Sequence, residues 1–242
     1  MQRNEMDKSG LIIIKICIFS IVLSLTALLL CGIFNYFNTN SANKTTWTVP
    51  QTIIIDAGHG GEDGGASSAD GTKEKDLNLS VALNLGKLLE SDGYSVIYTR
   101  ADDSMLYTTS EGSKKMQDLK NRLKIAKENE EAVFISIHMN KFTQEKYSGL
   151  QVFYSNNNKA SEQLAKIIQT NTHDFQQNEN NREIKAAGSN IYLLHNIKNP
   201  AVLVECGFLS NPKECEKLKD ETYRKEIALV IYSSLIEFFE KI

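Results

Sequence analysis

Ile53-Ile54-Ile55-Asp56-Ala57-Gly58-His59-Gly60-Gly61 is the stretch on which the fold turns. Three β-branched residues in succession predict a strand buried on both faces, as in a parallel sheet. The run then breaks into glycine around a single histidine. Glycine lets backbone approach closely whatever lies beyond the strand's end, and a histidine there is placed to meet a metal or a substrate.

Working outward, Thr52 to Asp56 reads as the first strand, and the glycine-containing loop from His59 to Lys75 reads as surface bordering a site. Asp76 reads as the N-cap of a helix running to about Ser91, with Leu77, Val81, Leu85, Leu88 and Leu89 at helical spacing. Gly93 ends it, and Tyr94 to Thr99 follows as a strand. Ala101 to Asp118 reads as loop, Leu119 to Glu128 as helix, and Ala132 to Ile137 as a strand with His138 directly after it. Further strands are expected at Gly149 to Tyr154, Asn190 to Leu194 and Ala201 to Glu205. Helices are expected at Ser161 to Thr172 and about Thr222 to Glu240, with a polar stretch from Phe175 to Ala187. Strands alternating with helices predict one α/β domain: a mostly parallel twisted sheet of about six strands with helices on both faces.

At 242 residues the chain suffices for one well-buried domain, and 41% hydrophobic with 24% charged residues is ordinary for a globular protein. The formal net charge of −3 argues against a nucleic-acid binder. Of four cysteines, Cys17 and Cys31 fall in the apolar N-terminal run, leaving Cys206 and Cys215. That is no disulfide framework, and no CxxC occurs to build a zinc ribbon. Cys206 and Cys215 could pair outside a cell, although a position on or beside a buried strand argues against it for Cys206.

Leu11 to Phe37 is almost wholly apolar, and the part from Ile16 to Phe37 is about 22 residues, or roughly 33 Å of helix, enough to cross a bilayer. Arg3, Lys8 and Lys15 precede it, which puts the N-terminus in the cytoplasm and the rest outside. Residues 1–37 therefore read as an uncleaved membrane anchor or a cleaved signal; the run is longer than a usual signal core and lacks a clean small-x-small site. Residues 38–51 read as a polar linker, and residues 52–242 as the folded domain.

In open α/β sheets, ligands bind beyond the carboxyl ends of the strands. His59, His138 and Glu205 stand at such ends, and Glu74 lies just before the helix that follows the His59 loop. Two imidazoles and a carboxylate make a hydrolytic zinc site with a position left for water, and a further carboxylate serves as general base. Glu74 and Glu205 can divide these roles, one as ligand and one as base. There is no HExxH and no P-loop signature. A carboxylate on the buried run Ala201-Val202-Leu203-Val204 calls for a partner or a task.

Five segments also resemble, in order, the zinc-dependent N-acetylmuramoyl-L-alanine amidases of the Amidase_3 type. They are Ile55 to Gly61, Glu74 to Leu79, Tyr98 to Arg100, Phe134 to Asn140 and Pro200 to Asn211. The resemblance implies that His59, Glu74 and His138 hold one zinc ion and that Glu205 is the catalytic carboxylate. It also implies cleavage of the amide between the lactyl group of muramic acid and L-alanine in peptidoglycan. Within the family the chain most resembles the germination-specific amidases of spore-formers, which implies a role in muramic-δ-lactam formation in spore cortex, an extracytoplasmic location and, as in some clostridial members, a lipoprotein partner. Gly64 departs from the proline common in relatives, and His195 stands where a basic residue is common. Arg182 and Lys185 could meet carboxylates of the stem peptide or simply lie in a solvated loop. Arg100 and Arg122 read as structural ion pairs, and His173 as exposed. The competing reading is a non-catalytic peptidoglycan-binding module of the same fold.

Overall fold

The computed structural model describes residues 52–107 and 113–241, together with Lys15, residues 17–21, 23, 24, 26 and 28–32. The chain divides into two units, Met1–Thr48 and Val49–Ile242. In the first, the described residues are helical, and Ser20, Ser24 and Thr26 donate their hydroxyls to carbonyls three residues back. Among the described residues no helix is long and apolar enough to cross a membrane. Most of the expected anchor's flanks and all of the expected linker, residues 38–51, lie outside the described residues.

The second unit is a six-stranded sheet in the order β2-β1-β3-β6-β4-β5. Its strands are β1 (Thr52–Ala57), β2 (Ser95–Tyr98), β3 (Val133–Asn140), β4 (Gln151–Tyr154), β5 (Lys185–Ala186) and β6 (Ala201–Phe208). All neighbours run parallel except β4 and β6. The helices are α1 (Glu74–Ser91), α2 (Lys114–Glu128), α3 (Lys159–Phe175), α4 (Tyr192–Asn196), α5 (Pro212–Lys219) and α6 (Glu221–Lys241).

Ile53, Ile54 and Ile55 are fully buried because the sheet is covered on both sides. Ile53 and Ile55 join a core with Leu77, Val81 and Leu85 of α1, Leu164 of α3 and Ile231 of α6. Ile54 faces the other way, against Leu123 of α2 and Leu194 of α4. Each such isoleucine contributes about 1.5–3 kcal/mol by leaving water.

Four expectations change. The first helix begins at Glu74 rather than after an Asp76 cap; Lys73 precedes it without a side-chain cap, and the acids Glu74 and Asp76 occupy the positive first turn. Helix α2 starts five residues early, at Lys114, because Ser113 accepts a hydrogen bond from the Met116 amide. Asn190 to Leu194 is not a strand. Leu193, Leu194 and Ile197 are buried together while His195 is exposed, which is helical spacing, and the fifth strand lies at Lys185–Ala186 instead. Helix α5 was not anticipated, although Asn211 caps it by accepting from the Glu214 amide and Pro212 opens it.

Candidate active site

His59 follows β1 in the left-handed region, with φ of 62°. That conformation costs a non-glycine residue about 1–2 kcal/mol, and it turns the imidazole back over the sheet's rim. Two buried arginines hold the loop in this shape. Arg122 donates to the carbonyls of Ala57 (2.8 Å) and His59 (2.7 Å). Arg100 donates to those of Ala57 (2.9 Å), Gly58 (3.0 Å) and Lys75 (2.8 Å). Arg122 also pairs with Asp56 and Asp118, as expected of a structural ion pair. Arg100 differs: among the described residues it makes no ion pair and serves backbone carbonyls.

Nδ1 of His59 lies 2.9 Å from Asp63 Oδ2, and Nε2 lies 3.2 Å from Glu74 Oε2. Asp63 thus orients the ring in the way outer carboxylates orient ligating histidines. Sequence reasoning passed over Asp63; its one signal is a carboxylate four residues after His59 in the same glycine loop. Glu74, at the start of α1, is buried. Its Oε2 accepts from the Ala66 amide (2.7 Å), and its Oε1 from the Met139 amide (3.1 Å) and Asn78 Nδ2 (3.3 Å). Nδ1 of His138 lies 2.9 Å from Oε1. Burial alone would raise the Glu74 pKa, but the two imidazoles outweigh it and hold the carboxyl well below the usual range. Burial pulls the His59 imidazole down, and Glu74 and Asp63 together bring it above its ordinary value.

His138 lies within β3 and Glu205 within β6; both strands continue past them, so neither residue ends its strand as expected. The two are direct partners across the parallel ladder. Residues so paired point to one face. Oε2 of Glu205 is enclosed and has no hydrogen-bond partner. Burial raises the Glu205 pKa to about 7, with Glu74 adding to the rise and the two histidines opposing it.

His59, Glu74 and His138 each offer one ligand atom, all within 4.8 Å of one another, so this cluster can hold a metal ion. Two glycines make room for it. A Cβ on Gly58 would come within 2.3 Å of the His138 ring. A Cβ on Gly65, whose φ is +66°, would come within 2.5 Å of Glu74 Oε2 and 2.6 Å of His59. The other candidates lie apart from the cluster. His195 and Lys185 are exposed, and His173 is exposed beside Asp174. Arg182 is no freely solvated charge: it donates to the Ser148 carbonyl and to Gln151 Oε1, and lies 4.4 Å over the Phe208 ring. Cys206 and Cys215 are buried and free.

A doubly covered α/β sheet with a His-Glu-His cluster able to hold a metal ion at its rim, and a carboxylate beside it, is an arrangement suited to a hydrolase. Residues 53–237 match the model of the family Amidase_3, N-acetylmuramoyl-L-alanine amidase; the chain belongs to that family and is an amidase of peptidoglycan. It is 35% identical over 220 residues to the germination-specific N-acetylmuramoyl-L-alanine amidase of Bacillus subtilis, covering 88% of this chain and 91% of that one. It is 28% identical to the amidase AmiA of Escherichia coli, covering 78% and 76%. Among solved structures it resembles the CwlD amidase from Clostridioides difficile, in complex with the GerS lipoprotein. That match has 45% identity and a TM-score of 0.76, over 79% of this chain and 99% of that one.

Proposed function

We propose that the chain hydrolyses the amide between the lactyl group of N-acetylmuramic acid and L-alanine, using one zinc ion held by His59, Glu74 and His138. The observation that carries this reading is the gathering of those three ligand atoms within 4.8 Å, one strand away from the unpartnered Glu205 carboxylate. Nitrogen and carboxylate donors in that number are the set a catalytic zinc takes, leaving a position open. A bound zinc ion supplies a Lewis acid that polarises an amide carbonyl and makes water more acidic.

Glu205 is the general base. Its carboxylate stands one ladder rung from the cluster, and it takes a proton from the attacking water and returns it to the departing alanine nitrogen. Asp63 fixes the His59 tautomer, and Arg100 and Arg122 fix the loop that carries it. The likeness to the germination-specific amidase of B. subtilis and to a clostridial amidase seated on a lipoprotein supports a role in spore-cortex muramic-δ-lactam formation, with a lipoprotein as partner. The apolar N-terminal segment, residues 1–37, tethers the enzyme to the membrane or exports it, and residues 52–242 work on the extracytoplasmic side.

Mass spectrometry of peptidoglycan fragments incubated with the full chain and zinc tests the reaction. The expected products carry a free lactyl carboxylate and a free alanine amine. Intact fragments, or cleavage at any other bond, would refute it.

A further inference from the structure

A second feature of the folded unit is unused by this chemistry. Between the start of β4, the loop after α3 and helix α5 lies a cleft of about 750 Å³. Four cations line it: Lys146, Arg182, Lys213 and Lys217. Among the described residues none of the four forms an ion pair, whereas Lys219, on the same helix as Lys213 and Lys217, pairs with Asp70 and Glu216. A concentration of cations without ion pairs on a chain of net charge −3 marks a surface for an anion. Four cations face two carboxylates, Glu179 and, acted on by Arg182 and Lys217, Glu214. The Glu214 carboxylate is buried and occupied by the amides of Gly149 (2.8 Å) and Phe208 (2.8 Å), and burial pushes its pKa up.

The substrate of a peptidoglycan amidase carries a peptide, so the anion that this cleft suits is an acidic peptide.

Arg182 ties the cleft to the reacting centre. It donates to Gln151 Oε1, and Gln151 is the direct antiparallel partner of Glu205. His138, Glu205 and Gln151 therefore stand abreast on three adjacent strands, on one face. With strands about 4.8 Å apart, the Arg182 guanidinium stands on the order of 10 Å from Glu205. An extended peptide advances about 3.3 Å per residue, so roughly three residues beyond the scissile amide reach that wall.

We propose that this cleft is the subsite for the carboxylate-bearing part of the stem peptide, with Arg182 at its inner wall and Lys146, Lys213 and Lys217 at its mouth. The proposal rests on the amidase activity but not on the metal assignment. It makes the enzyme selective for peptides with free carboxylates beyond the first alanine and poor on amidated ones.

Titration calorimetry of the full chain in mild detergent, with EDTA present, tests binding without the metal. The probes are acetyl-L-Ala-γ-D-Glu-L-Lys-D-Ala and the same peptide with both carboxylates amidated. The acid is expected to bind about fivefold or more tightly than the amide, and K213Q/K217Q to erase most of that gap, the size that exposed charge pairs supply. On peptidoglycan fragments with zinc, the same variant should raise KM by about fivefold and leave kcat within about twofold; R182K should retain more of the selectivity than R182Q. Equal affinity for acid and amide, or wild-type affinity and KM in K213Q/K217Q, would overturn the proposal. Both outcomes are readable even if the site gathers a metal other than zinc.

Discussion

Gly58 lies directly against His138: a Cβ at position 58 would stand 2.3 Å from both Cε1 and Nε2 of the imidazole. The histidine belongs to a strand and the glycine to the turn beside it, so neither backbone can retreat without breaking the ladder. Gly58→Ala should therefore push the ring off Glu74. Moving a ligand in this way is expected to weaken metal affinity by about tenfold to a hundredfold, and overpacking to destabilise the fold by about 1–3 kcal/mol. Competition with a chromophoric chelator and urea denaturation measure the two effects. Wild-type metal affinity in the variant would show that the ring has another place to go.

Arg122 is the second dependency. Its guanidinium is buried between Asp56 (2.7 Å) and Asp118 (2.8 Å) while also carrying the Ala57 and His59 carbonyls. Arg122→Met leaves two buried carboxylates without their cation. Breaking a buried pair from one side costs about 3–5 kcal/mol. The expected result is a lower urea midpoint by that margin, with Asp56→Asn added to Arg122→Met recovering part of it.

The same pair sets an acid limit. Burial opposes the charge on Asp56, but Arg122 and the Ser136 hydroxyl outweigh it and lower the folded pKa below its ordinary value of 3.8. A carboxylate depressed in the folded state contributes fully above its unfolded pKa and loses that contribution as pH falls through the folded one. Without Arg122, burial is left to raise the Asp56 pKa, so the stability difference between wild type and Arg122→Met should be largest near pH 7, narrow as acid protonates the bare carboxylate of the variant, and shrink further below about pH 4. Urea midpoints of both proteins across that range provide the check; a gap that widens on acidification would have the wrong sign.

Much of this was legible in the sequence because the chemistry-bearing residues sit on or beside apolar runs. Ile53 to Ile55, Phe134 to Ile137 and Ala201 to Val204 each announce a buried strand, and His59, His138 and Glu205 are the polar residues that follow. Strand lengths were less legible: β3 continues past His138 to Asn140 and β6 past Glu205 to Phe208, and a single polar side chain inside a strand looks like its end. Asn190 to Leu194 reads as a strand because its four apolar residues carry no period; only Ile197, one helical turn beyond Leu193, marks the helix Tyr192–Asn196. The arginine clamp could not be read at all. Arg100 and Arg122 act on the loop's backbone carbonyls 25 to 65 residues away, and a carbonyl has no letter in the sequence.

Metal should be coupled to stability. His59 and His138 approach Glu74 from two sides, and an ion bound to all three would favour the folded chain by mass action. At a free zinc concentration about a hundred times the Kd, the gain is about 2.7 kcal/mol. Adding EDTA should lower the melting temperature of the wild type, and His59→Ala should melt at the same temperature with or without EDTA. A wild-type melting curve indifferent to both zinc and chelator would remove the metal from the account.

Glu205 separates catalysis from binding. Its carboxylate neighbours the cluster across one ladder rung without hydrogen bonding to any of the three proposed ligands, and its Oε2 is enclosed and unpartnered. A residue that held the metal would lower occupancy when replaced; a base would lower turnover alone. Glu205→Gln preserves shape and removes the proton acceptor, so kcat should fall by about 10²–10⁴-fold while zinc remains at one equivalent. Loss of zinc in step with activity would instead make Glu205 a ligand, and wild-type turnover would leave the attacking water without its base. Because the amide of glutamine can bond where the bare carboxylate cannot, the variant should also be no less stable than wild type, which a urea titration reads independently of activity.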